Sequence, residues 1–136
     1  MVKKSFAALY ARLQTIPGMG KKTAIQLIII TRGFERFSNV KALCAYVGIS
    51  PTTYCSGTSV RTRGGIAKRG QGRMRQLLYL CSWTAKSCNA GCRILYERMQ
   101  AAGKPRKVMN IALAHKLLRQ AYGIAHSGEN YSPQFA

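Results

Sequence analysis

The sequence predicts a mainly α domain: a helix-hairpin-helix, then a basic irregular loop with a short β-hairpin as an option, then a helical bundle. Three observations carry that reading. Apolar residues recur at spacings of three and four through most of the chain. Glycine and proline concentrate at two sharp breaks, "IPGMG" (Ile16 to Gly20) and "GKP" (Gly103 to Pro105). Between Ile49 and Gly70 the helical period disappears and Thr, Ser and Gly take over.

Element by element, Ser5 to Gln14 reads as a short helix with Phe6, Leu9, Tyr10 and Leu13 on one face. A second helix runs from about Lys21 to Thr31, turns Ala24, Leu27 and Ile28 inward, and is ended by Gly33. Ser38 caps a third, which Gly48 stops. After a β-like "TTYC", Gly70 or Gln71 opens a helix to about Ser87, striped by Met74, Leu77, Leu78, Cys81 and Ala85. Ala90 to about Ala102 follows, with Ile94, Leu95, Arg98 and Met99 as its face. The last helix spans Pro105 to about His126, with Val108, Ile111, Ala112, His115, Leu118 and Tyr122 in register. The expected layout is one domain over 1–136: the helix-hairpin-helix at about 5–31, the basic Ser-Gly loop at about 49–70, the helical part at about 71–126, and a frayed tail over 127–136.

Charge narrows the partner. Lys and Arg number 22 against three acids, giving a net charge of +19 on 136 residues with no aspartate. Such self-repulsion calls for a polyanion, and each neutralised phosphate of a nucleic acid also releases counterions. Membrane-surface proteins concentrate charge in one amphipathic helix or tail, whereas here it is spread over segments that also carry core residues. With 47% hydrophobic residues the chain is no disordered polycation, and its longest apolar run, within "AIQLIIIT", is too short to cross a bilayer. The basic start lacks the features of a signal peptide, and five cysteines without framework spacing fit free thiols in a reducing cytoplasm.

Two stretches have the make-up of anion sites. In "IPGMGKKTA", Gly18 and Gly20 allow positive φ and close approach of another chain, while Lys21 and Lys22 add charge to the N–H groups of a helix start. The bland alternative is an ordinary helix–helix turn. In "KRGQGRMR", Lys68, Arg69, Arg73 and Arg75 surround two glycines at a second helix start, with Arg61 and Arg63 in the loop before it; the alternative there is a solvated basic face. Ser56, ahead of this charge, reads by spacing alone as a turn residue, because cations stabilise a phosphoryl transition state but supply no general base. Cys81, Cys88 and Cys92 read as small hydrophobes on one helical face, and no metal site is expected. His115 reads as a core histidine, His126 as a helix-end cap. Trp83, Tyr79 and Tyr96 are either base-stacking or core residues, with core packing preferred.

In order along the chain, "IPGMGKKTA", "RFSNVKALCAYVGISPTTYCSGT", "RGGIAKRGQGRMRQLLYLCSW" and "ILYERMQAAGKPRKVMNIALAHKLLRQAYGI" resemble the C-terminal transposase domain of the insertion-sequence one-ten family. These are transposases with an N-terminal RuvC-like DEDD domain. The resemblance implies a site-specific DNA recombinase in which the serine of the Ser-Gly motif, Ser56 here, attacks a phosphodiester and forms a phosphoserine link. It also implies DNA as partner, a structured guide RNA as a further one, and a homo-oligomer in the full-length protein. The expected divalent metal, Mg²⁺, belongs to the acidic tetrad of the RuvC-like domain, which this sequence lacks; no cofactor is expected on this chain. The reading is therefore an excised domain or truncated remnant, inactive alone, with Ala67 standing where relatives often carry Ser or Thr. The alternative is a non-catalytic helix-hairpin-helix module that holds DNA or RNA.

Overall fold

A computed structural model of the chain describes residues 2–49 and 57–132, with side chains from 6 to 49 and from 72 to 132. Among the described residues there are six helices and no strand: α1 Val2–Leu13, α2 Lys21–Thr31, α3 Val40–Val47, α4 Gly57–Cys88, α5 Ala90–Ala101 and α6 Arg106–Ser127. The chain is mainly α, as its periodicity predicts. Thr52 to Cys55, the β-like stretch, and Ser56 lie outside the described residues.

The main divergence from the sequence reading is α4. Its expected start at Gly70 or Gln71 moves back to Gly57, so residues 57–70 of the expected irregular loop are helical. Glycines at 64, 65, 70 and 72 disfavour this locally, at roughly 1 kcal/mol each. Arg, Lys and Gln between them are good helix formers, and extending an already nucleated helix adds a hydrogen bond per residue without a new nucleus. Smaller corrections concern ends. α1 begins at Val2 rather than Ser5. Asn39, not Ser38, caps α3: its Oδ1 accepts from the Ala42 N–H at 2.8 Å, because the first helical residue is Val40 and the cap must directly precede it.

α6 is the central helix. It packs against α1, α3, α4 and α5, while α4 also contacts α2 and α3. Being enclosed on several sides, α6 buries Met109, Leu113, Ala114, Leu117, Leu118, Gln120, Ala121 and Ile124. The single stripe read from the sequence caught Leu118 but put Val108, Ile111, Ala112 and His115, which are half-buried, at its centre. In α5 the reading missed further: Ile94 and Arg98 are exposed, and Gly91 and Cys92 are the buried residues. The expected stripes of α1, α2 and α4 do face the core. Each large aliphatic side chain so buried contributes roughly 1.5–3 kcal/mol.

The α2–α3 connection shows how the core overrides local preference. Arg32, Gly33 and Phe34 have φ of 52°, 70° and 72°. Left-handed backbone is unfavourable for a bulky residue, yet Phe34 is buried and edge-on to Tyr122, with centroids 6.1 Å apart. Thr31 holds the turn: its hydroxyl donates to the Leu27 carbonyl and accepts from the Phe34 N–H at 2.9 Å. Tyr122 completes the clasp by donating to the Phe37 carbonyl at 3.2 Å.

Candidate nucleic-acid interface

The turn between α1 and α2 is fastened to the bundle at its back. Gly18 has φ 96°, and a Cβ there would lie 2.8 Å from the Ala85 Cβ and 2.9 Å from its Cα. The close approach that this glycine permits is therefore to α4 of its own chain. Beside it, the Asn89 side-chain amide donates to the Pro17 carbonyl at 3.2 Å and to Gln120 Oε1 at 2.8 Å. Gln120 Nε2 donates back to Asn89 Oδ1 at 3.2 Å, and the same oxygen caps α5 by accepting from the Cys92 N–H. Buried Asn89 thus ties the turn, α5 and the central helix together. Thr23 adds a contact to Cys81 at 3.1 Å, and the Tyr131 N–H donates to Thr15 Oγ1 at 2.8 Å.

The outward side of this turn is different. Gly20 has φ −82°, occupies the N-cap of α2, and a Cβ there would meet nothing within 4 Å. It needs no positive φ, contrary to what the sequence suggested for both glycines. No side chain caps α2, its first turn has no acid, and Lys21 and Lys22 are exposed. Free N–H groups, the helix dipole and two ammonium groups make this end electropositive.

The second predicted block is divided by the structure. Arg73 is exposed on α4. Arg75 is half-buried, and its Nη1 donates to the Val47 carbonyl at 3.1 Å beneath Gly48, the left-handed C-cap of α3. It satisfies a carbonyl at the end of α3, so among the described cations proposed for phosphate it is the one already engaged inside the fold. Positions 61, 63, 68 and 69 fall in the N-terminal half of α4, and their side chains, like Ser56, lie outside what the structure describes.

The remaining candidates separate by burial. Cys88 closes α4 and is exposed, whereas Cys92 belongs to α5, so Asn89 breaks the single face expected for the cysteines. Burial pushes the Cys44 thiol up to about 11 and the Cys92 thiol up to about 12, which keeps both protonated and unreactive. Among the described residues no group of His, Cys, Asp or Glu could hold a metal ion. His115 is half-buried and held below the usual imidazole range by burial, with Arg119 adding repulsion. His126, in the last turn of α6, lies against Tyr122 at 4.2 Å between centroids. Trp83 is 44% exposed, which overturns core packing for it. No helix among the described residues is long and apolar enough to cross a membrane.

Fold and surface together define a strongly basic helical bundle with an electropositive, uncapped helix start displayed beside the α1–α2 turn. The match of residues 10–97 to the transposase IS116/IS110/IS902 family model shows that the chain belongs to that family. It is 31% identical over 113 residues to a pilin gene-inverting protein of Moraxella lacunata, covering 82% of this chain and 35% of that protein. It is 30% identical over 124 residues to the transposase for insertion sequence element IS1328 of Yersinia enterocolitica, covering 89% and 37%. The 43.6 kDa protein of insertion element IS110 from Streptomyces coelicolor is 28% identical over 120 residues, covering 88% and 29%. The chain thus spans about a third of the length of these relatives.

Proposed function

We propose that this chain is the DNA-holding, nucleophile-bearing part of a transposase or site-specific recombinase, with Ser56 as nucleophile. The observation that carries the reading is the family match over residues 10–97, which runs through the hairpin turn, Ser56 and the Lys68–Arg75 block. Relatives named for transposition and for inverting a pilin gene support DNA as the substrate. The uncapped start of α2, with Gly20, Lys21 and Lys22, grips a backbone phosphate and reads no base. Gly18 shapes that turn from behind.

The chemistry is an exchange of esters. The Ser56 oxygen forms a bond to phosphorus, the bond from phosphorus to one strand oxygen breaks, and that oxygen leaves as an alcohol after taking a proton. One phosphodiester replaces another, so the bond energy is kept for rejoining. Negative charge gathers on the phosphoryl oxygens in the transition state, where Arg61 and Arg63, within about 10 Å of Gly57 along α4, are the cations available to stabilise it. Lys68, Arg69 and Arg73, roughly 16–24 Å along the helix, hold neighbouring phosphates. The divalent metal that the resemblance implies has no fitting ligand group among the described residues, and its place is the RuvC-like partner domain. In this reading the chain binds DNA by itself and completes the reaction only with that domain, as a homo-oligomer and with a structured guide RNA.

The test joins the chain to the acidic domain of a relative, with Mg²⁺ and supercoiled DNA, and looks for a covalent protein–DNA adduct on a denaturing gel. An adduct with wild type that vanishes in Ser56→Ala, while DNA affinity is retained, is the expected result. Active relatives' domains serve as the positive control. If only the control gives adduct while this chain still binds DNA, the chain is a non-catalytic binding module.

A further inference from the structure

Trp83 is the chain's single tryptophan, and it stands on the wrong side of its helix for the core. α4 turns Met74, Leu78, Cys81 and Ala85 inward. At about 100° per residue, position 83 is about 160° from Cys81 and from Ala85. The indole is accordingly 44% exposed. Two cations lie over it: Lys86 Nζ at 4.2 Å from the ring centroid and Arg106 Cζ at 4.3 Å. Lys86 also lies 5.1 Å from the Tyr96 ring. Lys86 belongs to α4, Tyr96 to α5 and Arg106 is the first residue of α6, so three helices converge on one aromatic surface.

Packing does not account for the arrangement. An indole spent on the core would be turned inward, and a solvated basic face would not gather two cations on one ring. A large exposed aromatic between cations is the combination that binds unpaired nucleotides: the ring accepts a base face, and the cations accept the phosphates on either side of it. A duplex keeps its base faces stacked away and offers this surface phosphates only.

We propose that Trp83, Lys86 and Arg106 form a stacking site for an unpaired nucleotide in single-stranded nucleic acid. The cation–π contacts of the free protein hold the two cations at the ring, and they exchange onto the phosphates that arrive with the base. This rests on the reading that nucleic acid is the partner, and it adds a site of its own. Trp83 lies 26 residues beyond the start of α4, about 39 Å along the helix at 1.5 Å per residue. It serves a different stretch of nucleic acid from the one at Ser56.

The test uses the 136-residue chain, an unstructured oligodeoxythymidine and a blunt duplex of equal length, both labelled for anisotropy. Because Trp83 is the sole tryptophan, its own fluorescence reports contact directly. The single strand should quench it strongly and the duplex weakly. Trp83→Ala should weaken single-strand binding by about five- to a hundredfold and leave duplex affinity within about twofold. Trp83→Phe should recover most of the loss. Lys86→Ala and Arg106→Ala should each flatten the single-strand plot of log K against log salt by about 0.7. Thermal melts should match wild type, since the ring is exposed. Equal losses on both substrates, no loss, or duplex binding without single-strand quenching would each overturn the site while leaving the DNA-holding function standing. Binding to neither substrate would overturn both. Loss of self-association in Trp83→Ala with single-strand affinity intact would make the patch a protein contact instead.

Discussion

The two glycines of the α1–α2 turn should respond in opposite ways to the same methyl group. At Gly18, alanine meets two penalties. Its φ of 96° is strained for an L-residue, at roughly 1–2 kcal/mol. Its Cβ would also stand 2.8, 2.9 and 3.0 Å from the Ala85 Cβ, Cα and N. Two of those three atoms are helix backbone and cannot rotate away, so α2 and α4 must separate, at a further 1–3 kcal/mol or so. The sum is about 2–5 kcal/mol, or a fall of about 10 °C in Tm at roughly 3 °C per kcal/mol for a chain of this size. Ala85→Gly in the same molecule removes only the nearest contact and adds its own helix penalty of about 1 kcal/mol, so it should rescue Gly18→Ala in part.

Gly20→Ala should leave Tm within about 2 °C, because its φ is −82° and the space around its Cβ is empty. If a phosphate sits on the α2 N–H groups, that methyl obstructs it, and DNA affinity should fall severalfold. Circular dichroism melts and anisotropy titrations on the two variants separate fold from grip. A stable Gly18→Ala would refute the packing argument. Unchanged affinity in Gly20→Ala would refute the placement of the phosphate.

Three further outcomes follow from single side chains. Arg73→Ala should flatten the duplex log K against log salt plot by about one unit with little change in Tm, whereas Arg75→Ala should lower Tm and leave the slope almost unmoved, because Arg75 holds the Val47 carbonyl. Asn89→Ala removes the α5 cap and strands the side-chain amide of Gln120 and the Pro17 carbonyl; urea unfolding should show a loss of about 2–4 kcal/mol. His115 is held below its usual range by burial, so above about pH 6.5 both folded and unfolded forms are neutral and it contributes no pH dependence. As pH falls below that value the unfolded chain takes the proton first, so stability should drop as pH is lowered from about 6.5; His115→Gln should reduce that slope.

Legibility in the sequence followed how many neighbours each helix has. α1 and α2 present one face to the core, and a stripe at spacings of three and four found Leu9, Leu13, Ala24, Leu27 and Ile28. α6 is enclosed by four other helices, so its buried set wraps round and no single stripe describes it. The start of α4 was hidden because its glycines argue locally for a loop while the helix propagates from its packed C-terminal half. Among site residues, Lys21, Lys22 and Arg73 are exposed. Composition cannot distinguish Arg73 from Arg75, because only the carbonyl at the end of α3 tells them apart. Trp83 was findable: it falls between Cys81 and Ala85, two positions from each, and therefore off the stripe that predicted the helix.

What joins these observations is the junction at Asn89. A basic turn that merely floated on the bundle would offer the proposed phosphate contact at no fixed angle to α4. Gly18 lets the turn descend onto Ala85, and Asn89 then locks Pro17 to Gln120 on the central helix, so the turn and the last turns of α4 form one unit. The N-terminus of α2 and the Trp83 surface are consequently held by the same end of α4, while Gly57, next to Ser56, opens the other. On the proposed reading, a nucleic acid held at the α1–α2 turn is thereby given a defined direction relative to α4. Weakening Asn89 should for that reason damage placement as well as stability: under conditions where Asn89→Ala is still folded, adduct yield should fall further than DNA affinity does. If the two fall together, the junction is only a structural brace.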